Sequence, residues 1–314
     1  AYEYSQSRQW LALRDGVLVG RVAAILSEGH RQRWNQAYMR FGWLDFVDDR
    51  EVSAALLGVV EDWARQCGCS AVHGPLGFTD MDQAGMLVEG FDEPSTMATI
   101  YNHAYYPAHL EALGYGKDTD WVEYEITVPE KPDEKISRLA AIIMRREELR
   151  LLEIKNKKDM LARAGEVFAV FNETYQNLYG YIPLNDRQIA GYTRQYFDFL
   201  KPEFVPVVVN REGKIVAFGI AMPSLTRTMQ KAGGSLYPFG FIHLLRALKK
   251  NDSADLYLIA VVPEYQGKGV NAILIDHITR VFNRMGIRKV ESNPELETNH
   301  RVQAQWKHFE TRQH

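Results

Sequence analysis

The chain has little cysteine, no apolar run of membrane length and almost no net charge, and each shortage removes a class of protein. Cys67 and Cys69 are the only thiols among 314 residues. Two residues apart, they form a poor disulfide and at most half a metal site, so reduced thiols are expected. The nine histidines show no H-E-x-x-H or Cys/His spacing, and no metal is predicted. No apolar stretch is long enough to span a bilayer. A balance of 37 basic and 40 acidic residues leaves a net charge of −3, so neither a nucleic-acid nor a membrane partner is expected. No signal peptide is visible and the chain starts at Ala1, so a trimmed N-terminus and a cytoplasmic location are expected. What remains is a globular composition long enough for two domains.

Residues 255–286 carry the strongest local signal. Leu256–Val262 is an apolar run that reads as a buried strand, and Pro263 stops it. Gln266-Gly267-Lys268-Gly269-Val270-Asn271 follows, then Ile273, Leu274, Ile278, Val281 and Phe282 at helical spacing. Glycines let a ligand approach the backbone. Loop amides and the first N–H groups of the helix converge on one spot, and the helix dipole adds positive potential there. A diphosphate fits such a cradle. Neither G-x-x-x-x-G-K-[ST] nor G-x-G-x-x-G is present.

The segment resembles the coenzyme A loop of the GNAT N-acyltransferase superfamily, [QR]-x-x-G-x-[GA] after a strand ending V-x-P. Val261, Pro263, Gln266 and Gly269 match; Asn271 stands where Gly or Ala is usual, in a position to cap the helix. A second resemblance, to uncharacterised bacterial GNAT-related proteins, rests on Gly74-Pro75-Leu76-Gly77-Phe78 and Tyr105-Tyr106-Pro107. The resemblance implies an α/β fold of two tandem GNAT-like units, each a mixed, mostly antiparallel sheet flanked by helices. It implies acetyl-CoA, or another acyl-CoA, as cosubstrate, held by Val261, Gln266, Gly267, Lys268, Gly269, Val270, Asn271 and Asn299.

The same order of elements occurs twice. Trp10–Leu13 and Val17–Leu26 flank a turn at Asp15-Gly16, as Phe204–Asn210 and Ile215–Met222 flank Arg211–Lys214. The strand Arg40–Val47 and helix Val52–Cys67 parallel the 255–286 segment, and Gly68 and Gly286 lie 218 residues apart. The first copy has Asp48-Asp49-Arg50-Glu51 in place of the glycine loop, which repels a diphosphate. The expected domains are 1–128, a degenerate unit lacking its leading elements and closing with the strand Trp121–Val128; 129–148, a linker and charged helix; and 149–314, the cofactor-binding unit. That unit is expected to open with a strand at Leu149–Ile154 and helices at Asp159–Tyr175 and Arg187–Phe199, and to lack strands after its last helix.

Transfer of an acyl group from a thioester to an amine needs a base, an oxyanion donor and a proton for the thiolate. By resemblance, Asp255 at the head of the central strand is the base and the Val261 N–H the oxyanion donor. Tyr is usual where this chain has Trp306; His300, His308 and Tyr265 are the alternative proton sources. Tyr175, Tyr179, Arg227 and His243 are the acceptor-site candidates, the last two in a long segment, Pro223–Lys250, whose Arg246, Lys249 and Lys250 read as a solvated helix end. The expected function is acyl-CoA-dependent N-acyl transfer, acetyl by default, to a small-molecule or peptide amine; the alternative is a non-catalytic acyl-CoA-binding protein. The sequence leaves the oligomeric state open.

Overall fold

A computed structural model describes residues 5–197 and 199–314. The chain divides into two compact units: 1–95, 99–121 and 178–183 form the first, and 96–98, 122–177 and 184–314 the second.

In the first unit, β1 (Ser5–Arg14) and β2 (Val17–Ser27) form the expected hairpin, with Asp15 and Gly16 both at positive φ. The hairpin turn requires that conformation, which suits Asp and Gly. After α1 (Glu28–Trp34), β3 (Tyr38–Phe46) pairs antiparallel with β2. Then α2 (Arg50–Gln66) crosses over to β4 (Ala71–His73), which pairs parallel with β3. The inward face of α2 carries Val52, Leu56, Leu57, Val60 and Trp63, which recur on one side of the helix as a buried stripe. With Phe41 and Phe46 and with Tyr106 and Leu110 of α3 (Tyr105–Ala112), they build the core of this unit.

At the far edge of that core Arg40 is 1% exposed. It donates to the carbonyls of Gly77 and Gly180 and contacts His30 Nδ1 at 3.1 Å. Burial lowers its pKa to about 10, and burial beside the same guanidinium lowers His30 to about 4 and His73 to about 3, so both imidazoles are neutral at pH 7. Arg40 thus fastens the segment 178–183 into the first unit.

Beyond the short strand β5 (Trp121–Val122) the chain enters the second unit. Its elements are β6 (Tyr124–Thr127), α4 (Glu134–Arg146), β7 (Arg150–Leu151), α5 (Lys157–Ala162), α6 (Ala164–Tyr175), α7 (Asp186–Tyr196), β8 (Val207–Val209), β9 (Ile215–Pro223), α8 (Thr226–Lys231), α9 (Gly240–Lys249), β10 (Ser253–Val261), α10 (Asn271–Met285), β11 (Lys289–Glu291), β12 (Glu295–Leu296), α11 (His300–Gln303) and β13 (Thr311–Gln313). Seven strands align in the order β13-β6-β11-β10-β9-β8-β7. The run β8-β9-β10-β11 has the same antiparallel, antiparallel, parallel pairing as β1-β2-β3-β4, which bears out the internal repeat.

Several expectations need revision. The strand expected to close the first copy sits instead between β11 and β13, with Ile126 opposite Val290 and Thr311. Its alternation identifies a strand, but only tertiary pairing selects the sheet. The helix assigned to a linker packs on α10, burying Ala140 and Ile143. The single helix 159–175 is two, broken at Arg163. The opening strand of the unit shrinks to Arg150–Leu151, and a strand, β13, does follow the last helix.

The core beneath this sheet joins Ile126, Phe204, Ala221, Ala254, Val281, Phe282, Ile287 and Val290. If β6 is integral to it, Ile126→Ala should lower the stability of the second unit by about 2–4 kcal/mol in urea unfolding. Thr127→Ala, on the exposed neighbour, should shift it by less than about 0.5 kcal/mol. Equal small effects would remove β6 from the core.

Candidate active site

β10 and β11 pair only from Ser253 to Asp255 against Lys289 to Glu291; from Leu256 onward β10 has no parallel neighbour. On its other side β10 stays bonded to β9 as far as Val261, through a bulge between Leu256 and Leu258. The two central strands therefore part, and one edge of β10 is left to find other partners.

That edge is half filled. The carbonyls of Tyr257, Ile259 and Val261 accept hydrogen bonds from Asn293 Nδ2 at 3.1 Å, Tyr175 Oη at 3.1 Å and Gln266 Nε2 at 2.9 Å. The Val262 N–H bonds Val216 on β9, so by strand alternation the N–H groups of Ile259 and Val261 face the gap. The edge thus has its acceptors satisfied by side chains and its donors directed outward. A chain rich in carbonyl groups, such as a pantetheine arm, complements it. The Val261 N–H, the expected oxyanion donor, faces the gap.

Where β10 ends, Val262 is extended at φ −57° and ψ 148°, as a residue before proline should be, and Pro263–Tyr265 make a 3-10 turn. Gly267 and Gly269 adopt φ of +74° and +83°. This left-handed conformation is strained for residues with a Cβ and turns the loop back to the helix. Val270 is already helical, at φ −57° and ψ −29°, and α10 has no side-chain cap. The cap expected of Asn271 is therefore not formed: Asn271 is the first helical residue, and its side chain cannot reach forward as a cap must. The consequence favours an anion, because no side-chain acceptor competes for the first amides of a 15-residue helix.

The side chains of the loop serve it structurally. Gln266 binds Val261 through its amide nitrogen and accepts from Arg301 Nη1 at 2.9 Å through its oxygen, bracing loop against strand. Lys268 Nζ lies 3.3 Å from Glu147 and 4.9 Å from the Tyr265 ring centroid. The Lys268 carbonyl accepts from Arg146. Val270 is buried. The Lys268 N–H donates to the Tyr265 carbonyl at 3.4 Å, so the groups suited to a phosphate are the backbone amides of Gly267, Gly269, Val270 and Asn271.

Asp255 stands at the apex, the last paired residue before the strands part, and is 1% exposed. Neither of its oxygens accepts a hydrogen bond of good geometry. Burial, reinforced by Glu291 and only partly opposed by Ser224, raises its pKa to about 6. Glu291 is paired with His314 Nε2 at 2.9 Å. Glu123 belongs to the same cluster and is raised to about 7 by burial, with Glu291 and Asp255 adding to the shift and His314 opposing it. The Tyr257 phenol, beside Asp255 and Tyr196, is also pushed up by burial. Sequence reasoning found Asp255 and missed Glu123, Tyr257, Glu291 and His314. These residues come from distant parts of the chain, and no local spacing links them.

The other candidates disperse. Tyr175 caps the open edge. Tyr179 belongs to the first unit, donating to Asp118 and lying 3.4 Å from His73 Nδ1. Arg227 is exposed and paired with Asp252 at 3.1 Å, while His243 lies on α9, half-buried. The long segment 223–250 forms α8 and α9. Asn299 precedes the four-residue α11 without capping it. Trp306 donates to Glu295 Oε1 at 2.8 Å and packs with Phe309 on the core, so it fills space where a proton donor was sought. An open recess of about 470 Å³ lined by Glu153, Lys157, Glu203 and His277 shares no residue with this site. Among the described residues no cluster of side chains suits a metal ion.

Comparison with known proteins agrees with this geometry. Residues 166–309 match the model of the acetyltransferase (GNAT) family. Protein YghO of Escherichia coli is 29% identical over 299 residues, which cover 92% of this chain and 75% of that protein. Bacterial ceramide synthase of Caulobacter vibrioides is 25% identical over 276 residues, covering 84% of this chain and 69% of that one. A GCN5-related glucosamine N-acetyltransferase region of a fungal multi-domain GH3 β-N-acetylglucosaminidase superposes with a TM-score of 0.54 at 14% identity, over 98% of this chain and 32% of that one, a likeness of fold. The parted strands and the glycine loop heading an uncapped helix both lie within 166–309, the stretch that matches the GNAT family model, and together they support a GNAT-like, acetyltransferase-like protein.

Proposed function

We propose that the second unit binds an acyl-coenzyme A between β10 and β11 and transfers its acyl group to an amine. The observation that carries this reading is the donor-rich edge of β10 running into the amides of Gly267, Gly269, Val270 and Asn271. The diphosphate meets those amides, and the pantetheine arm lies along Ile259 and Val261. The amine attacks the thioester carbonyl and its proton passes to Asp255, directly or through one water. Val261 N–H stabilises the developing oxyanion. As the C–S bond breaks, the thiolate leaves with a conjugate-acid pKa of about 8.5, low enough to depart without an acid near neutral pH. Trp306 is compatible with that. The name of the Caulobacter relative favours a long-chain acyl donor and an amino alcohol acceptor over the acetyl default, because a ceramide is an N-acylated long-chain amino alcohol. The non-catalytic alternative is favoured by the engagement of Trp306 with Glu295.

Two predictions separate these readings. Asp255 has a raised folded pKa, so its ionisation opposes folding: the cost appears as pH rises above the ordinary carboxylate range and is complete above about 6. Asp255→Asn should therefore be more stable than the parent at pH 8, by roughly 1–3 kcal/mol. It should also lose about 10²–10⁴-fold in kcat and the acidic limb of the pH–rate profile near 6. Turnover within a few-fold of the parent would remove Asp255 as the base. Gly267→Ala meets no atom within 4 Å and adds strain alone, whereas the Cβ of Gly269→Ala would lie 2.7 Å from Ile143 Cδ1. Both should raise the Kd for coenzyme A, about tenfold or more in Gly269→Ala, with a smaller effect on kcat. Competition by plain nucleotides as strong as by coenzyme A would point to another phosphate ligand.

A further inference from the structure

Between Pro223 and Asn251 the chain carries Arg227, Lys231, Arg246, Lys249 and Lys250 and no acidic residue, within a sequence that has more acids than bases overall. Arg227 is paired with Asp252; among the described residues the other four cations form no ion pair. The same segment exposes Tyr237 at 83%, Phe239 at 68%, Leu245 at 54%, Phe241 at 43% and Leu236 at 40%. Five large apolar side chains in ten residues, left in solvent beside unpaired cations, are not explained by the core of the unit.

The aromatic residues are held outward by a bonded backbone. Ser235 Oγ donates to the Tyr237 carbonyl at 2.8 Å, Phe241 N–H to Leu236 at 2.9 Å and Ile242 N–H to Phe239 at 3.0 Å. Gly240 closes the turn so tightly that a Cβ there would lie 2.0 Å from the Ser235 carbonyl. From this turn α9 starts. It buries Gly240 and Ala247 on one side and presents Phe241, Leu245 and Lys249 on the other, each four residues after the last. Arg246 and Lys250 form the adjacent row. An outward apolar row flanked by cations, led by Tyr and Phe, has the pattern of a helix lying in the plane of a membrane interface.

We infer that Leu236–Lys250 docks the second unit on an anionic lipid surface, with Tyr237, Phe239, Phe241 and Leu245 entering the headgroup layer and Arg246, Lys249 and Lys250 meeting lipid phosphates. Charge complementarity selects an anionic bilayer as the occupant: the cations need anions, and the apolar row needs acyl chains beside them. The −3 of the whole chain masks this segment, which is why composition gave no expectation of a membrane partner. No helix among the described residues is long and apolar enough to cross a membrane, so the contact is with its surface. The inference is independent of the acyl-transfer reading.

The test is flotation of the full chain with vesicles of phosphatidylcholine alone and of phosphatidylcholine with phosphatidylglycerol, without any acyl-coenzyme A. Binding is expected to the anionic vesicles and to weaken as salt is raised. Lys249→Ala with Lys250→Ala should reduce the partition constant about fivefold per cation removed. Phe239→Ser with Phe241→Ser should reduce it at least about tenfold while leaving the far-UV spectrum and unfolding midpoint in place. Failure of the parent to float with anionic vesicles at low salt would overturn the inference, as would variants that float like the parent. A dimer that the Phe239→Ser and Phe241→Ser pair converts to monomer, with no vesicle binding by the parent, would also overturn it and assign the face to self-association. Coenzyme A binding is read separately, so loss of one property leaves the other standing.

Discussion

The site depends on the parting of β10 and β11 after Asp255 and Glu291. A strand in mid-sheet that loses one neighbour keeps its peptide groups and must satisfy them elsewhere. Here the carbonyls of Tyr257, Ile259 and Val261 are taken by Asn293, Tyr175 and Gln266, each from a different element. The donors that remain point into the gap, and the same gap leads to the uncapped start of α10. Backbone geometry thus leaves an outward donor edge and an uncapped helix start, while the side chains of the loop, Gln266 and Lys268, are engaged with protein.

The two copies show what keeps such a gap open. In the first unit β3 and β4 also part, after Arg40 and His73, but the chain fills its own opening: Leu76 N–H bonds the Phe41 carbonyl at 2.7 Å, and a Cβ on Gly42 would lie 2.5 Å from the Leu76 carbonyl. The helix that follows is self-capped as well, because the Asp49 side chain accepts from the Glu51 N–H. Arg14 pairs with that same Asp49 carboxylate. One topology therefore gives a filled gap in the first unit and an open one in the second. The difference lies in a segment that fills the gap in one and an aspartate that caps the helix where the other has glycines.

Much of this was legible because its signals are local. A strand, a glycine loop and an amphipathic helix announce themselves over thirty residues, and the hairpin turns at Asp15-Gly16 and Gly213 do so over four. What needed the fold is set by pairing at a distance. Nothing near Tyr124–Thr127 says which sheet it joins. The break at Arg163 carries no proline and no positive φ, and the carboxylates around Asp255 come from positions 123 and 291. The Asn271 cap failed for a finer reason: Val270 enters the helix one residue early, which moves the asparagine inside. Trp306 was recognised as a departure from the resemblance, but its hydrogen bond to Glu295 and its place on the core were visible only in three dimensions.

The most direct test of the central claim is hydrogen exchange of the full chain, peptide by peptide, with and without saturating acetyl-coenzyme A. If the donor edge and the loop grip the cofactor, peptides covering Ile259–Val261 and Gly267–Ala272 should exchange more slowly when it is bound, while those covering β3 and α2 should not change. Unaltered exchange across 255–274 at a coenzyme concentration shown to saturate binding would contradict the account.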